Sequence, residues 1–171
     1  MKFCRRLFYC VPGKGAPPGS VLDMMQQDRQ VIDWSNNTAK VHVDRDGPIM
    51  LLEIGLDPQS LKSLADGLLN LKQGLDLKMI LPSFQGNPIP VIESWVVYIK
   101  EAAGSDRSLL AHPTQNEWVA SLLLSTPTME RLKNEMSKWV QSTSSDRLEL
   151  SIVELGRFSY PSNIQIKFRL I

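Results

Sequence analysis

The chain has few of the residues from which catalytic and metal-binding sites are usually built. Its 171 residues include only two cysteines and two histidines, and aromatic residues make up 7%. Cys4 and Cys10 are both close to the N-terminus. They are too few for a disulfide framework, and no histidine lies near them to complete a zinc motif. We interpret them as free thiols, with acylation of either as an open hypothesis.

The two histidines do not form a site with other residues. His42 lies in a predicted strand and His112 in a predicted loop, and no acidic cluster or cysteine is placed to join them. We expect both at the surface. The sequence also lacks a phosphate-binding loop, a dinucleotide fingerprint and a Gly-x-Ser-x-Gly elbow. It therefore predicts no catalytic residues, no metal site and no cofactor, and we expect a protein that is not an enzyme.

Strong net charge and long hydrophobic runs are also missing. Nineteen basic residues nearly balance eighteen acidic ones, so the global electrostatic field gives no argument for nucleic acid or membrane. The apolar run at residues 7–11 is shorter than the roughly 7 residues of a signal core, and no run is long enough to span a bilayer. With 43% hydrophobic residues, the chain can bury the core of one domain.

The one local concentration of charge is at the N-terminus, where no acidic residue precedes Asp23. Prolines and glycines at residues 11–20 predict a linker, so residues 1–20 are interpreted as a flexible basic arm. Basic and apolar side chains alternate there, which is typical of a weak interfacial anchor, and a solvated terminus is the alternative. The candidate membrane-binding residues are Lys2, Phe3, Arg5, Arg6, Phe8 and Lys14.

Periodicity predicts one α+β domain over residues 39–171, preceded by a docked arm or short helix at 21–38. We expect a mostly antiparallel sheet of six or seven strands packed by two main helices. One helix is predicted at 58–73, after the cap Asp57 and Pro58, and the second follows Thr126 and Pro127. Strands are expected at 41–44, 49–54, 77–81, 94–100, 118–124, 148–152 and 164–170, the last two as a hairpin.

Residues 101–116 are predicted to be a long loop, because Gly104, Ser105 and Pro113 favour turns. Loops longer than about 12–15 residues are usually functional or disordered. Leu109 and Leu110 form an apolar island within it. They either pin the loop to the core or contact a membrane or a neighbouring subunit. The candidate self-association residues are Pro17, Pro18, Leu109 and Leu110.

The most distinctive motif is a proline-rich loop that opens onto an aromatic strand. Gly86, Pro88 and Pro90 form the loop, and Trp95 and Tyr98 lie on the strand. Together with the order of predicted elements over residues 39–171, this motif resembles the globular domain of rhabdovirus matrix proteins. The lyssavirus branch has a comparable loop, with a glycine and two prolines separated by an aliphatic residue. A tryptophan follows five positions after the second proline.

The N-terminal arm departs from that family. Residues 16–20 contain the Pro-Pro pair without the tyrosine of a Pro-Pro-x-Tyr budding motif. The short tail and weak charge suit a small, divergent or plant-infecting branch.

The resemblance implies a structural protein that self-associates, condenses the ribonucleoprotein and links it to the inner face of the envelope. Its implied partners are further copies of itself, the viral nucleocapsid and an anionic membrane surface, with the viral glycoprotein and host factors as further candidates. It implies a location beneath the envelope in the virion, and in the cytoplasm and at the inner membrane surface of the host cell. A location in the nucleus is a further alternative. The alternative is a non-assembling viral or cellular accessory protein that binds a host factor through residues 101–116. A small hydrolase with an unrecognised site is a more distant alternative.

Overall fold

A computed structural model of the chain describes residues 30–36, 39–46, 48–83, 94–114, 116–142 and 149–171. In these residues, two mixed β-sheets and two α-helices share one hydrophobic core. The predicted arm at 1–20, most of the predicted segment 21–38, and the loop with Gly86, Pro88 and Pro90 lie outside the described residues.

The first sheet has five strands. In spatial order they are β1 (Gln30–Asp33), β4 (Asp76–Leu81), β5 (Ser94–Glu101), β7 (Glu117–Leu124) and β6 (Arg107–Ala111). The pairs β1 with β4 and β5 with β7 are parallel, whereas β4 with β5 and β6 with β7 are antiparallel.

The second sheet has four strands. In spatial order they are β2 (Ala39–Asp46), β3 (Ile49–Leu56), β9 (Ile164–Leu170) and β8 (Glu149–Ser151). The β3 and β9 pair is parallel and the outer two pairs are antiparallel. A short 3-10 turn, Ile152–Glu154, follows β8.

Helix α1 (Pro58–Leu69) begins as the sequence predicts. The Asp57 side chain accepts a hydrogen bond of 2.6 Å from the Ser60 N–H, and Pro58 occupies the first turn. The helix ends four residues earlier than predicted, and Gly74 adopts a φ of 83° in the turn that follows. A Cβ on Gly67 would lie 3.2 Å from side-chain atoms of Ile32 and Leu77, so α1 packs closely on the core side of the five-stranded sheet.

Helix α2 (Thr126–Gln141) also has a proline in its first turn and a stripe of buried apolar residues. It packs against α1, and both helices contribute to the single core. The buried residues of the α2 stripe are Met129, Leu132, Met136 and Trp139.

The predicted fold class is confirmed, and the predicted sheet is wrong. The described residues form nine strands in two mixed sheets, not six or seven in one mostly antiparallel sheet. Alternation identifies strands but does not determine their partners, and three of the seven pairings are parallel through crossovers that the pattern does not reveal.

Two of the strands were missed. Strand β1 lies in the segment interpreted as an arm or helix, and β6 lies inside the predicted long loop. Both are short, and β6 places Ser108, fully buried, where the pattern would require an apolar residue.

Candidate interaction surface

The five-stranded sheet has one face on the core and a second face that points away from it. On β5, Trp95, Val97 and Ile99 are fully buried, as the alternation predicts, whereas Val96 and Tyr98 are half-buried on the other side. We call this second face of β4, β5, β7 and β6 the outer face. It consists of Asp76, Lys78, Ile80, Val96, Tyr98, Lys100, Val119, Ser121, Leu123, Arg107, Leu109 and Ala111.

Strand register arranges the outer face in three rows across the sheet. The first row is Asp76, Lys100, Leu123 and Arg107. The second row is Lys78, Tyr98, Ser121 and Leu109. The third row is Ile80, Val96, Val119 and Ala111.

Within these four strands the third row is entirely apolar and charge is confined to the first two rows, and Asp33 of β1 continues the third row beside Ile80. None of the outer-face residues belongs to the hydrophobic core or to the partly buried side chains packed against it. Helix α1 lies on the opposite side of the sheet, at Leu77, and the buried stripe of α2 belongs to the same core. Within the part of the chain that the structure describes, no helix or strand packs on the outer face. Ile80, Val96 and Val119 are half-buried, and a row of apolar side chains without a packed element makes this face a candidate interaction site.

The structure separates the two leucines that were predicted as self-association residues. Leu109 lies on the outer face of β6, and Leu110 packs against the core from the other side. The apolar island is therefore a strand rather than a loop. Leu110 packs on the core, which was one of the two predicted alternatives. For Leu109, contact with a membrane or a neighbouring subunit stays a prediction. Pro17 and Pro18 lie outside the described residues.

The aromatic strand of the distinctive motif contributes to both faces. Trp95 is buried with its ring centroid 5.2 Å from that of Trp118, which also meets the His112 ring at 4.3 Å in an edge-on contact. Tyr98 lies on the outer face. His42 and His112 are both exposed, which confirms their predicted surface position. The candidate membrane-binding residues Lys2, Phe3, Arg5, Arg6, Phe8 and Lys14 lie outside the described residues.

A buried carboxylate joins three elements beside β6. The Asp106 side chain, 3% exposed, accepts hydrogen bonds from the Ser125 N–H at 2.7 Å, the Thr128 hydroxyl at 2.8 Å and the Arg157 N–H at 2.8 Å. Its backbone oxygen accepts from the Ser159 N–H at 2.9 Å. Asp106 thus connects the start of β6 to the N-terminus of α2 and to the chain that leads into β9, and its position at a helix N-terminus favours the charged form.

The pKa of Asp106 reflects two opposing influences. Burial acts to raise the pKa, and the hydrogen bonds from Ser125, Thr128 and Arg157 outweigh it and hold the pKa below the usual value of a carboxyl. Gly156 is part of the same arrangement, because a Cβ there would overlap Asp106 Oδ2 and approach Thr128 Cγ2 to 2.8 Å. All of these donors come from the chain itself, so the carboxylate has a structural role here.

Asn163 links the two sheets beside this carboxylate. Its N–H donates to the Ser108 oxygen at 3.0 Å, and its backbone oxygen accepts from the Met50 N–H at 3.0 Å. The Asn163 side-chain oxygen also accepts from the Leu110 N–H at 2.7 Å. The residue therefore bridges β6 of one sheet and β3 of the other.

A cleft of about 430 Å³ opens at this junction. Hydroxyl and aromatic side chains line much of it, including Ser108, Phe158, Ser159, Tyr160 and Ser162. The Ser108 Oγ is buried and finds no hydrogen-bond partner among the described residues, whereas Tyr160 is 94% exposed. None of the described residues that line the cleft carries a charge.

The four-stranded sheet turns a different surface to solvent. Acidic and basic side chains stand side by side there, with Glu53 3.4 Å from Arg169 and Glu149 2.5 Å from Lys167. We call this surface the charged face. Its ionisable residues are Lys40, His42, Asp44, Glu53, Glu149, Lys167 and Arg169.

In the described residues, these features define an α+β protein of two mixed sheets, with an apolar row on the outer face of the five-stranded sheet. Neither helix in the described ranges has the length and apolar character needed to cross a membrane. Across the same ranges, no three histidine, cysteine or acidic side chains come together as a metal site. No family model, no curated protein and no solved structure matches the chain.

Proposed function

We propose that this chain is a non-enzymatic structural protein of the viral matrix type. In this role it self-associates, condenses the ribonucleoprotein and links it to the inner face of a membrane envelope. The observation that carries self-association is the apolar row on the outer face of the five-stranded sheet, formed by Ile80, Val96, Val119 and Ala111. The matrix-type role is supported by the resemblance of the Gly86 to Tyr98 motif and of the order of elements.

The physical basis for assembly is the burial of apolar surface. Removing apolar area from water contributes roughly 25 cal/mol per Å², and association must first offset the loss of translational and rotational freedom. A single contact through one sheet face is therefore weak. Many such contacts in a lattice, each reinforced by a membrane anchor, give strong attachment through avidity.

The membrane contact is assigned to the N-terminal arm. In the proposal, Lys2, Arg5 and Arg6 meet anionic lipid, and Phe3 and Phe8 enter the interface. Each basic residue near an anionic surface contributes about 1 kcal/mol, so the arm binds marginally by itself.

Self-association is tested by sedimentation equilibrium and light scattering over a range of concentration and salt. We expect the mean mass to rise with concentration and to depend on salt, because charged residues border the apolar row of the outer face. A chain that stays monomeric at its highest soluble concentration would contradict the proposal.

Membrane binding is tested by flotation with vesicles of phosphatidylserine and phosphatidylcholine. We expect removal of residues 1–20 to abolish most of the binding, and the full chain with Lys2, Arg5 and Arg6 all changed to alanine to lose it in part. Vesicles of phosphatidylcholine alone are the control. Equal binding by the shortened and full chains would reject the arm as the anchor.

The cleft supports a second candidate, an accessory protein that binds a host factor without assembling. It contains Ser108, from the segment that the sequence assigned to this role, and the exposed ring of Tyr160 stands beside it. A monomer whose binding of a host protein is lost with Tyr160→Ala and retained with Tyr98→Ala would favour this candidate.

A further inference from the structure

We infer that the outer face binds the outer face of a second copy of this chain, around a twofold axis that runs parallel to the strands between β5 and β7. The inference rests on the proposed self-association and adds to it the surface, the symmetry and the paired residues. Most soluble homo-oligomers use twofold symmetry, in which one surface patch is complementary to itself. The outer face meets that condition in only one of its two possible twofold orientations.

An axis parallel to the strands exchanges β5 with β7 and β4 with β6. The first row then places Asp76 of one copy over Arg107 of the other, and the symmetry repeats this pair on the opposite side. Asp76 and Arg107 stand at opposite ends of this row, so each acid meets a base, and between them the aliphatic stem of Lys100 lies over Leu123.

In the same orientation, the other two rows place apolar groups of one copy over apolar groups of the other. In the third row, Val96 lies over Val119 and Ile80 over Ala111. In the second, the aliphatic stem of Lys78 lies over Leu109. Packed sheets rotate by about 30° relative to one another, so the central valines coincide best and the outer pairs are neighbours.

An axis perpendicular to the strands gives an unfavourable arrangement. Each strand would then lie over its own copy with the rows reversed, so Lys78 would face Lys78. Asp76 would lie over Ile80, and Arg107 over Ala111. Like charges facing each other cost free energy, and so does the short Asp76 carboxylate on Ile80, because it cannot reach water as a lysine ammonium can.

The dimensions of the overlap predict a weak dimer. Four strands spaced about 4.8 Å apart, each contributing about five residues of 3.3 Å, give a flat area of roughly 300–400 Å² per copy. Stable complexes bury about 800 Å² per partner. Dimers are therefore expected only at high concentration, as in a layer of molecules held at a membrane.

Charge exchange provides the sharpest test. In a dimer of the Asp76→Arg variant, residues 76 and 107 are both arginines and repel each other at both symmetry-related pairs. In a dimer of the Arg107→Asp variant, both residues are acids and repel in the same way. We expect each variant to dimerise at least about 10-fold more weakly than the unmodified chain in sedimentation equilibrium. An equimolar mixture of the two variants should form mixed dimers with one copy of each variant. In such a dimer, both pairs between residues 76 and 107 join an arginine to an acid. Lys62→Glu, on the exposed side of α1, is the matched control.

A second test separates the two symmetries. Val119→Asp lies at the centre of the proposed overlap and should abolish dimerisation. Val31→Asp changes an equally apolar residue, 53% exposed on β1, which lies outside the overlap for the proposed axis and inside it for the perpendicular one. We expect Val31→Asp to leave dimerisation within about twofold of the unmodified chain, with circular dichroism confirming that both variants are folded.

The outcomes separate the failure of this inference from that of the proposed function. If the unmodified chain never associates, both fail. If it associates and Val119→Asp behaves like Lys62→Glu, only this inference is overturned and another surface is used. Mixed variants that stay monomeric would overturn the axis. In a Ser121→Cys variant at high dilution, an oxidant-induced disulfide to Cys4 or Cys10 within one chain would assign the face to the chain's own N-terminal segment.

Discussion

The two sheets bury their inner faces alike and differ on the side turned away from the core. The charged face of the four-stranded sheet carries ion pairs such as Glu53 with Arg169, whereas the outer face of β4, β5, β7 and β6 has one row made only of apolar side chains. Charged side chains on a sheet keep it solvated and oppose sheet-to-sheet contact. Hydrophobic alternation builds both sheets, and the residues at the remaining positions decide whether the second face is charged or carries an apolar row.

The largest expected loss of stability comes from a cavity in the core that both sheets share. Trp95→Ala should lower the free energy of unfolding by about 3–5 kcal/mol, because it leaves a cavity at a fully buried site. Tyr98→Ala, three positions away on the outer face, should cost much less. Urea unfolding of the two variants measures the difference between the faces of one strand, and equal losses would contradict it.

Gly156→Ala should break the junction that holds the two sheets together. The added methyl group overlaps the Asp106 carboxylate, and overpacking of this kind costs about 1–3 kcal/mol, with the upper end expected here. Gly74→Ala is the control, since nothing lies within 4 Å of its Cβ and only the positive φ is penalised, by about 1 kcal/mol. Thermal unfolding that ranks the two variants in reverse order would refute this account.

Asp106→Asn tests the charge at the same junction. The asparagine NH₂ would meet a backbone N–H in either orientation, that of Ser125 or that of Arg157, and the loss of charge-assisted hydrogen bonds is expected to cost about 1.5–3 kcal/mol at neutral pH. The pKa of Asp106 is lowered on folding, so its contribution is complete above the unfolded value of about 4 and is lost as the pH falls through the folded value.

The variant and the unmodified chain should therefore converge in stability as the pH falls below about 4. Urea unfolding between neutral pH and pH 3 measures this convergence. A constant difference over that range would argue against a charged Asp106 in the folded protein.

The smallest effect is expected on the charged face. Glu53→Gln removes the partner of Arg169 at a surface ion pair, and such pairs contribute roughly 0–1 kcal/mol. Neither the melting temperature nor the tendency to associate should change measurably. A strong rise in association would show that charge on this face prevents a second contact and would sharpen the comparison.

Much of the fold could be predicted from the sequence, because the signals are local. The cap at Asp57, the proline at residue 127 and the alternation around Trp95 each act within a few residues of the chain. The pairing of strands could not be predicted, since parallel pairs such as β3 and β9 join segments more than a hundred residues apart. Strand β6 was read as a loop because turn-forming residues precede it and Ser108 interrupts its apolar pattern.

The candidate surface was only partly visible in the sequence. Leu109 was singled out as an apolar residue in a polar segment, and the structure places it on the outer face. Val96 and Val119 carried no signal, because half-buried strand residues look like core residues until the register is known. The sequence predicts Asp106 only as part of the long loop and makes no prediction for Gly156, because their contact joins segments about 50 residues apart.

The hydrogen bonds of Asn163 have a consequence for solubility. An unpaired strand edge is a template on which further strands add without limit. Along that edge of β6, the Asn163 main-chain N–H donates to the Ser108 oxygen and the Asn163 side chain bonds the N–H and the oxygen of Leu110. The Ser162 hydroxyl accepts from the Ser108 N–H. An incoming strand therefore finds no unpaired backbone donors or acceptors at Ser108 and Leu110. Association of strands into fibrils through this edge is blocked when the chain is concentrated.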